Sequence, residues 1–306
     1  MSFTERYINP LTDFGFKRLF GSSLNKELLI SFLNTLFQGE QNILDITYLN
    51  PEQLGERIES RRAIFDVYCK NDKGERFIVE MQNVFQEFFK DRTVYYSTFP
   101  IREQAKRGDV WDFHLDGVYT VGLLNFEFHD GKDDGASVRY PWHHEVKLMD
   151  IDRKTVFYDK LTYIYEEIPK FNKSADELDT MFDKWMFVLR NLSRLMERPA
   201  ALQGRVFSHL FAQAEIARFS ADELRMYEDS VKSYRDIANA IRTEGKLKFT
   251  EGKAEGLAEG LAKGKAEGLL KGKTEIARNL LSLNAPVDMI IKATGLTEEE
   301  INKLRI

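Results

Sequence analysis

The sequence predicts an α/β (α+β) chain in which strands and helices interleave, followed by a helical region and a long glycine-periodic helical tail. Three observations predict it. Two alternating apolar runs, IFDVYC and RFIVEM, flank the turn-forming NDKGE, the pattern of a β-hairpin. Upstream, Leu28, Leu29, Phe32, Leu33 and Leu36 recur at helical spacing and share one broad face. Near the end, residues 252, 256, 260, 264, 268 and 272 are all glycine, separated mostly by alanine, glutamate, lysine and leucine.

Each element has a local cause. Thr12 or Asp13 can cap a short helix over FGFKRLF that Gly21 ends. A second helix is expected over 25–37 and a strand over 43–49, stopped before Pro51. In the hairpin, a loop centred on Lys73 sets Asp66 opposite Glu80, Ile64 opposite Gln82 and Tyr68 opposite Ile78. Phe65, Val67 and Cys69 then face Phe77, Val79 and Met81 on the other, apolar side. A slip of one residue would bury the polar trio, so the pattern pins the register. A helix over 86–107, bent at Pro100, follows. Further strands are expected over 117–128, 145–151 and 160–171, and an amphipathic helix in DKWMFVLRNLSRLM.

Composition narrows the function. At about 150 residues per domain, 306 residues make two units, or one large domain with an appendage. The net charge of −5 excludes a uniformly basic nucleic-acid coat and leaves room for a local basic face. Cys69 is the single cysteine, so no intrachain disulfide forms, and a reducing, cytoplasmic location is expected. MSFTERYINP has no apolar core of a signal peptide, and no 18-residue apolar run suits a membrane span.

Asp66 and Glu80 carry the chemistry. Carboxylates directly opposite on a hairpin sit about 4.5–5.5 Å apart at Cβ. Like charges that close need a proton, a cationic partner or a metal ion. Hard oxygen ligands suit Mg²⁺, with Mn²⁺ as the alternative. The Met81 carbonyl can add a ligand, and Gln82, on the same face as Glu80, can orient an attacking water or a phosphate oxygen. The plain alternative is a solvated hairpin face whose acids are neutralised by Arg61, Arg62 or Arg92.

NPLTDFGFKRLFG, IFDVYCKNDKGERFIVEMQ, the following helix with Arg92, Tyr95 and Tyr96, and the later YIYEEIPKF and DKWMFVL together resemble one family. It is the Rpn-type family of recombination-promoting nucleases, also described as transposases, within the PD-(D/E)XK nuclease superfamily. The resemblance covers most of residues 9 to about 200, which sets a nuclease-like domain at 1–200. It implies a restriction-endonuclease-like mixed β-sheet flanked by helices, with the active site on the hairpin. Asp66 corresponds to the superfamily aspartate and Glu80 to its second acid. Gln82 stands where many superfamily members have lysine; it cannot carry charge or act as a base. Charge stabilisation would then fall to Lys17 or Arg92. Asp13 resembles the family's N-terminal acidic position, though helix capping is its simpler role, and Glu27 is a further acidic candidate.

Phosphate contacts need accessible cations. Arg92, Arg102, Lys106 and Arg107 on the helix after the hairpin, with Arg57, Arg61 and Arg62 before it, could line a groove. Phe88, Phe89, Tyr95 and Tyr96 read as core. His143 and His144 are adjacent and point to opposite strand faces, so no zinc site is expected.

The tail divides into a helical extension over 201–243, a stalk over 244–273 and a small helical element over 274–306. Each stalk glycine costs about 1 kcal/mol against alanine, and the glycine stripe drifts by about 40° per repeat. A water-exposed, self-associating helix is the expected form, making the protein a homo-oligomer; a frayed linker is the alternative. The final element has a helix-turn-helix outline, with Pro286 at a helix start, Gly295 at a turn and a Thr297–Glu300 capping box. Its Glu298, Glu299 and Glu300 would repel phosphate, so it reads as a tail cap. The expected function is a Mg²⁺-dependent DNA endonuclease acting in recombination, transposition or on mobile DNA. Its rivals are a catalytically silent DNA-binding oligomeric scaffold and an RNA-directed nuclease.

Overall fold

The computed structural model describes residues 5–37, 41–53, 63–105, 112–128 and 141–304. Arg57, Arg61, Arg62, Lys106 and Arg107 lie outside the described residues. The chain divides into two compact units, Met1–Tyr234 and Arg235–Ile306.

The first unit opens with α1 (Asp13–Phe20) and α2 (Lys26–Leu36). Strands β1 (Ile46–Tyr48), β2 (Glu52–Gln53), β3 (Ala63–Ile64), β4 (Val67–Asn71) and β5 (Arg76–Gln82) follow. Then come α3 (Phe89–Arg102), β6 (Val118–Leu124), β7 (His143–Asp150) and β8 (Thr155–Glu167). Helices α4 (Met181–Asn191) and α5 (Arg205–Ala214) precede the long α6 (Ala221–Ser282). The mixed six-stranded sheet has the order β1-β4-β5-β6-β8-β7. Neighbours β1, β4 and β5 are antiparallel; β5, β6 and β8 run parallel; β7 returns antiparallel on β8. This is the expected mixed sheet with flanking helices.

Both faces of the sheet are covered. Val67, Cys69, Phe77, Val79, Val121, Leu123 and Ile164 join the main core with Phe16, Phe20, Phe32 and Trp185 of α1, α2 and α4. The stripe on α2 expected from the sequence is buried throughout. On the opposite face α3 is anchored by hydroxyls: Thr93 Oγ1 lies 2.7 Å from Tyr165 Oη and Ser97 Oγ 2.9 Å from Tyr163 Oη. All seven residues of β6 are buried, as a parallel strand covered on both faces requires. Gly122 permits the packing, since a Cβ there would come within 3.0 Å of the Tyr165 ring.

Details differ from expectation. Thr12, not Asp13, caps α1, its side chain accepting from the Gly15 amide. The helix expected over 86–107 begins at Phe89 and carries Pro100 in its last turn. Ile64 does not oppose Gln82: it pairs with Glu52 in a separate two-stranded sheet. Phe88 is 67% exposed and is not core, whereas Phe89 is buried.

In the second unit α6 continues unbroken through the glycine tract to Ser282. Its end forms a small core with α7 (Val287–Thr294) and α8 (Glu298–Asn302), around Ala277, Ile290, Leu296 and Ile301. Pro286 caps α7, Gly295 closes it at φ +65°, and Thr297 and Glu300 form the capping box. Among the described residues no helix is long and apolar enough to cross a membrane. A Cβ at Gly256 or Gly264 would meet nothing within 4 Å. Each substitution by alanine should therefore raise tail-helix stability by about 1 kcal/mol, read as higher helicity and melting temperature by circular dichroism. Destabilisation would show that the bare glycine surface is in contact with something.

Candidate active site

The site begins with the turn that sets the hairpin register. Asn71 Oδ1 accepts from the amides of Lys73 and Glu75, both at 3.0 Å, and Gly74 takes φ +87°. Tyr68 then pairs with Ile78 and Val67 with Val79, the register expected from the sequence. The Tyr68 carbonyl accepts from Leu49 on the β1 side, so the backbone groups of Val67 and Cys69 face β5. Continued alternation would match Phe65 with Met81.

That match does not form. The chain bends at Asp66, and the Phe65 amide donates to the Pro51 carbonyl at 3.0 Å. Phe65 consequently leaves the Val67 face and packs with Tyr68, Ile78 and Phe99. The Met81 amide is instead taken by Asp66 Oδ2, at 2.8 Å. The Asp66 amide in turn donates to Glu80 Oε1 at 3.3 Å. The two carboxylates are thereby locked side by side at the end of β4. Strand geometry turns the Met81 carbonyl towards the same gap as its amide.

The acids are not on a solvated face. Glu80 is only 7% exposed, with α3 across from it. Burial, followed by the Asp66 charge, pushes the Glu80 carboxyl up to about 8. Burial likewise raises Asp66; the Met81 amide, Lys17 and Arg92 pull it down, and Asp13 pushes it up. Asp13 and Lys17, paired at 2.7 Å, thus lie within electrostatic reach of the hairpin acids. The connection is physical: Asn83 Nδ2, just past β5, donates to the Leu11 carbonyl at 2.8 Å.

Gln82 is committed at both ends. Its Nε2 donates to the Val84 carbonyl at 2.8 Å, and its Oε1 accepts from Arg92 Nη2 at 2.5 Å. Arg92 Nη1 donates to Gln86 Oε1 at 2.7 Å, and the guanidinium lies over the Phe89 and Tyr96 rings. Its Nε is buried with no hydrogen-bond partner among the described residues. Tyr96, read from the sequence as core, is half-buried and feels the charges of both acids. Its one signal is its position, a helical turn after Arg92. Glu27 is drawn elsewhere, to Arg205 at 3.3 Å and His209 at 3.9 Å. Arg102 is exposed in the last turn of α3, ten residues beyond Arg92.

A family model of PD-(D/E)XK nuclease family transposases matches residues 10–244. The chain belongs to this family. No curated protein and no solved structure matches it. The match spans the hairpin, α3 and the N-terminal PLTDF segment, the parts that converge on the acid pair.

Nucleases of this superfamily typically use divalent metals, and the residues here fit one. Asp66 Oδ1 and Glu80 Oε2 accept no hydrogen bond from any described residue, and both are hard oxygen donors. Among the described residues no group of three His, Cys, Asp or Glu side chains could hold a metal. The fit is therefore to an ion that keeps several waters or phosphate oxygens, as Mg²⁺ does. His143 and His144 are each bound to a different buried acid, Glu166 and Glu167, at 2.7 Å.

The raised Glu80 carboxyl has a signed consequence. Between the ordinary carboxylate range and about pH 8 the folded protein holds a proton that the unfolded chain has lost. In EDTA, stability should therefore be full in mild acid and fall as pH rises from about 5 to 8. Mg²⁺ should raise the melting temperature more at pH 8 than at pH 5.5, and Glu80→Gln should flatten both trends. A melting temperature independent of pH and Mg²⁺ in the wild type would contradict this account of the pair.

Proposed function

We propose that this family member is a Mg²⁺-dependent DNA endonuclease that hydrolyses phosphodiester bonds during recombination, transposition or other movement of DNA, with Mn²⁺ able to substitute. The observation that carries the reading is the Asp66–Glu80 pair at the hairpin bend, Glu80 buried and Asp66 partly so, each acid with one unengaged oxygen. These two oxygens and the Met81 carbonyl would hold the cation. A bound cation of this class polarises a phosphodiester and makes an attacking water more acidic.

The chain's other groups serve the phosphate. Arg92 supplies a fixed positive charge, and its unpartnered Nε is a donor awaiting an anion. Gln82 aims that guanidinium; both ends of its amide are engaged, so it is a positioning residue. Lys17 adds a second cation close to the acids. Arg102 extends the cationic side of α3, with Arg61, Arg62, Lys106 and Arg107 completing the proposed DNA contacts. The exposed tail helix is the proposed means of self-association: Leu257, Leu261 and Leu269 are each more than half exposed beside its bare glycines.

Purified protein should nick supercoiled plasmid in Mg²⁺ and not in EDTA. Asp66→Ala and Glu80→Gln should each lower the rate by roughly 100-fold or more while DNA binding persists. Wild-type protein that binds DNA but cuts neither DNA nor RNA with Mg²⁺ or Mn²⁺ would sink the endonuclease and leave the scaffold.

Arg92→Lys keeps the charge and loses the fork that Gln82 and Gln86 hold. Nicking should fall by roughly tenfold or more, about one broken charged hydrogen bond, with the far-ultraviolet spectrum unchanged. Unaltered nicking would remove Arg92 from the phosphate site.

A further inference from the structure

The two edges of the sheet are unlike. β1 is three residues long, a short edge of the kind that resists pairing. β7 is eight residues long, and among the described residues no strand pairs with its outer side. β8 is longer still, and only its Leu161–Glu167 half pairs with β6. Among the described residues, 148–158 therefore form a two-stranded arm with no third strand, a form marginal in water by itself. The arm leaves large apolar side chains in solvent: Leu148, Met149 and Val156 are half exposed, Phe157 is 78% exposed and Ile151 84%. The shifts of register between β7 and β8 put the extra residues in β8, so β7 stays a continuous extended strand.

The charges say what fits this edge. Residues 145–160 hold four acids and four bases, so the arm offers phosphate no net attraction. Along β7 the sequence HHEVKLMD places Glu145 and Lys147 on one face, either side of Val146, and joins them at 2.6 Å. Lay a second β7 antiparallel, with the two-fold axis at Val146. Glu145 of each chain then stands directly opposite Lys147 of the other, and Leu148 opposite His144. Two-fold axes at Glu145 or Lys147 would set like charges opposite one another. The edge is self-complementary, as a two-fold interface must be.

We propose that β7 is a homodimer edge: two copies of the chain join antiparallel through β7, centred on Val146, to make one continuous twelve-stranded sheet. The arms lie along the partner and cover the apolar residues that a single chain leaves exposed. This interface is separate from self-association through the tail and does not depend on the nuclease reading.

The full-length protein should sediment as a dimer, or as a larger assembly of such dimers joined through the tail. E145K leaves a lysine at both 145 and 147 and K147E leaves a glutamate at both, so like charges would face each other across the axis and each should weaken self-association by at least tenfold. Both variants also lose the pair within the chain. Mixed in equal amounts, they should re-form a dimer, because the two edges complement each other; loss of an intrachain contact would not be rescued this way. In V146C the new thiols meet across the two-fold axis, so mild oxidation should give a single disulfide-linked dimer. Cys69 is buried and does not compete. A wild-type monomer at every concentration overturns the proposal. So does association unchanged in both charge variants, or a dimeric V146C protein that does not cross-link.

Discussion

The site depends on one hydrogen bond, from the Met81 amide to Asp66 Oδ2. At this point β4 stops pairing, and β5 is left with a backbone donor inside the sheet. An unpaired buried amide would cost roughly 1–3 kcal/mol. A carboxylate answers it with a charge-assisted bond, and that bond draws Asp66 out of the strand's regular alternation and against Glu80. The fold then closes over both: α3 covers the acid face, and the hydroxyl contacts to Tyr163 and Tyr165 hold it there. The result is a pair of like-charged groups kept where water is scarce, with Glu80 shifted towards neutrality.

Such a pair works against stability. Burial and the neighbouring Asp66 charge both favour a proton on Glu80, so at neutral pH the empty site resists full ionisation. The large apolar core on the opposite face can bear this cost, since Phe20, Phe32, Phe77 and Trp185 are all fully buried. The division of labour between the faces follows the hairpin alternation: Phe77, Val79 and Met81 serve the core, while Ile78, Glu80 and Gln82 serve α3 and the site.

Much of this was legible in the sequence because it depends on local patterns. Asn71 and Gly74 mark the turn, and the turn with the alternation sets the register of β4 on β5. The α2 stripe, β6 and the final capping box are equally local. What escaped has a common cause, which is dependence on distant chain. IFDV alternates straight through the bend, so nothing in it shows that Phe65 changes face; the Pro51 carbonyl, far upstream, decides that. Tyr96 reads as core and does pack against the Phe65 cluster, but its place beside the acids is set by how α3 crosses the sheet. The helical glycine tract, by contrast, was legible, since its cause is local: no proline interrupts 221–282, and the glycines of the tract are too weak a penalty to end the helix.

Gln82 gives the site its particular character. A lysine at that place would bring charge and a titratable amine on the strand itself. Here the strand supplies a neutral amide, and the charge arrives from α3 as Arg92, oriented by Gln82 and Gln86 and bedded on Phe89 and Tyr96. A guanidinium does not give up its proton in the working range of a protein. Arg92 can therefore attract and orient an anion, but it cannot take a proton from water. The strand–helix pair of glutamine and arginine separates two duties that one lysine could combine. In the proposed nuclease this would keep the electrostatic duty on the protein and leave water activation to a cation held by the two carboxylates.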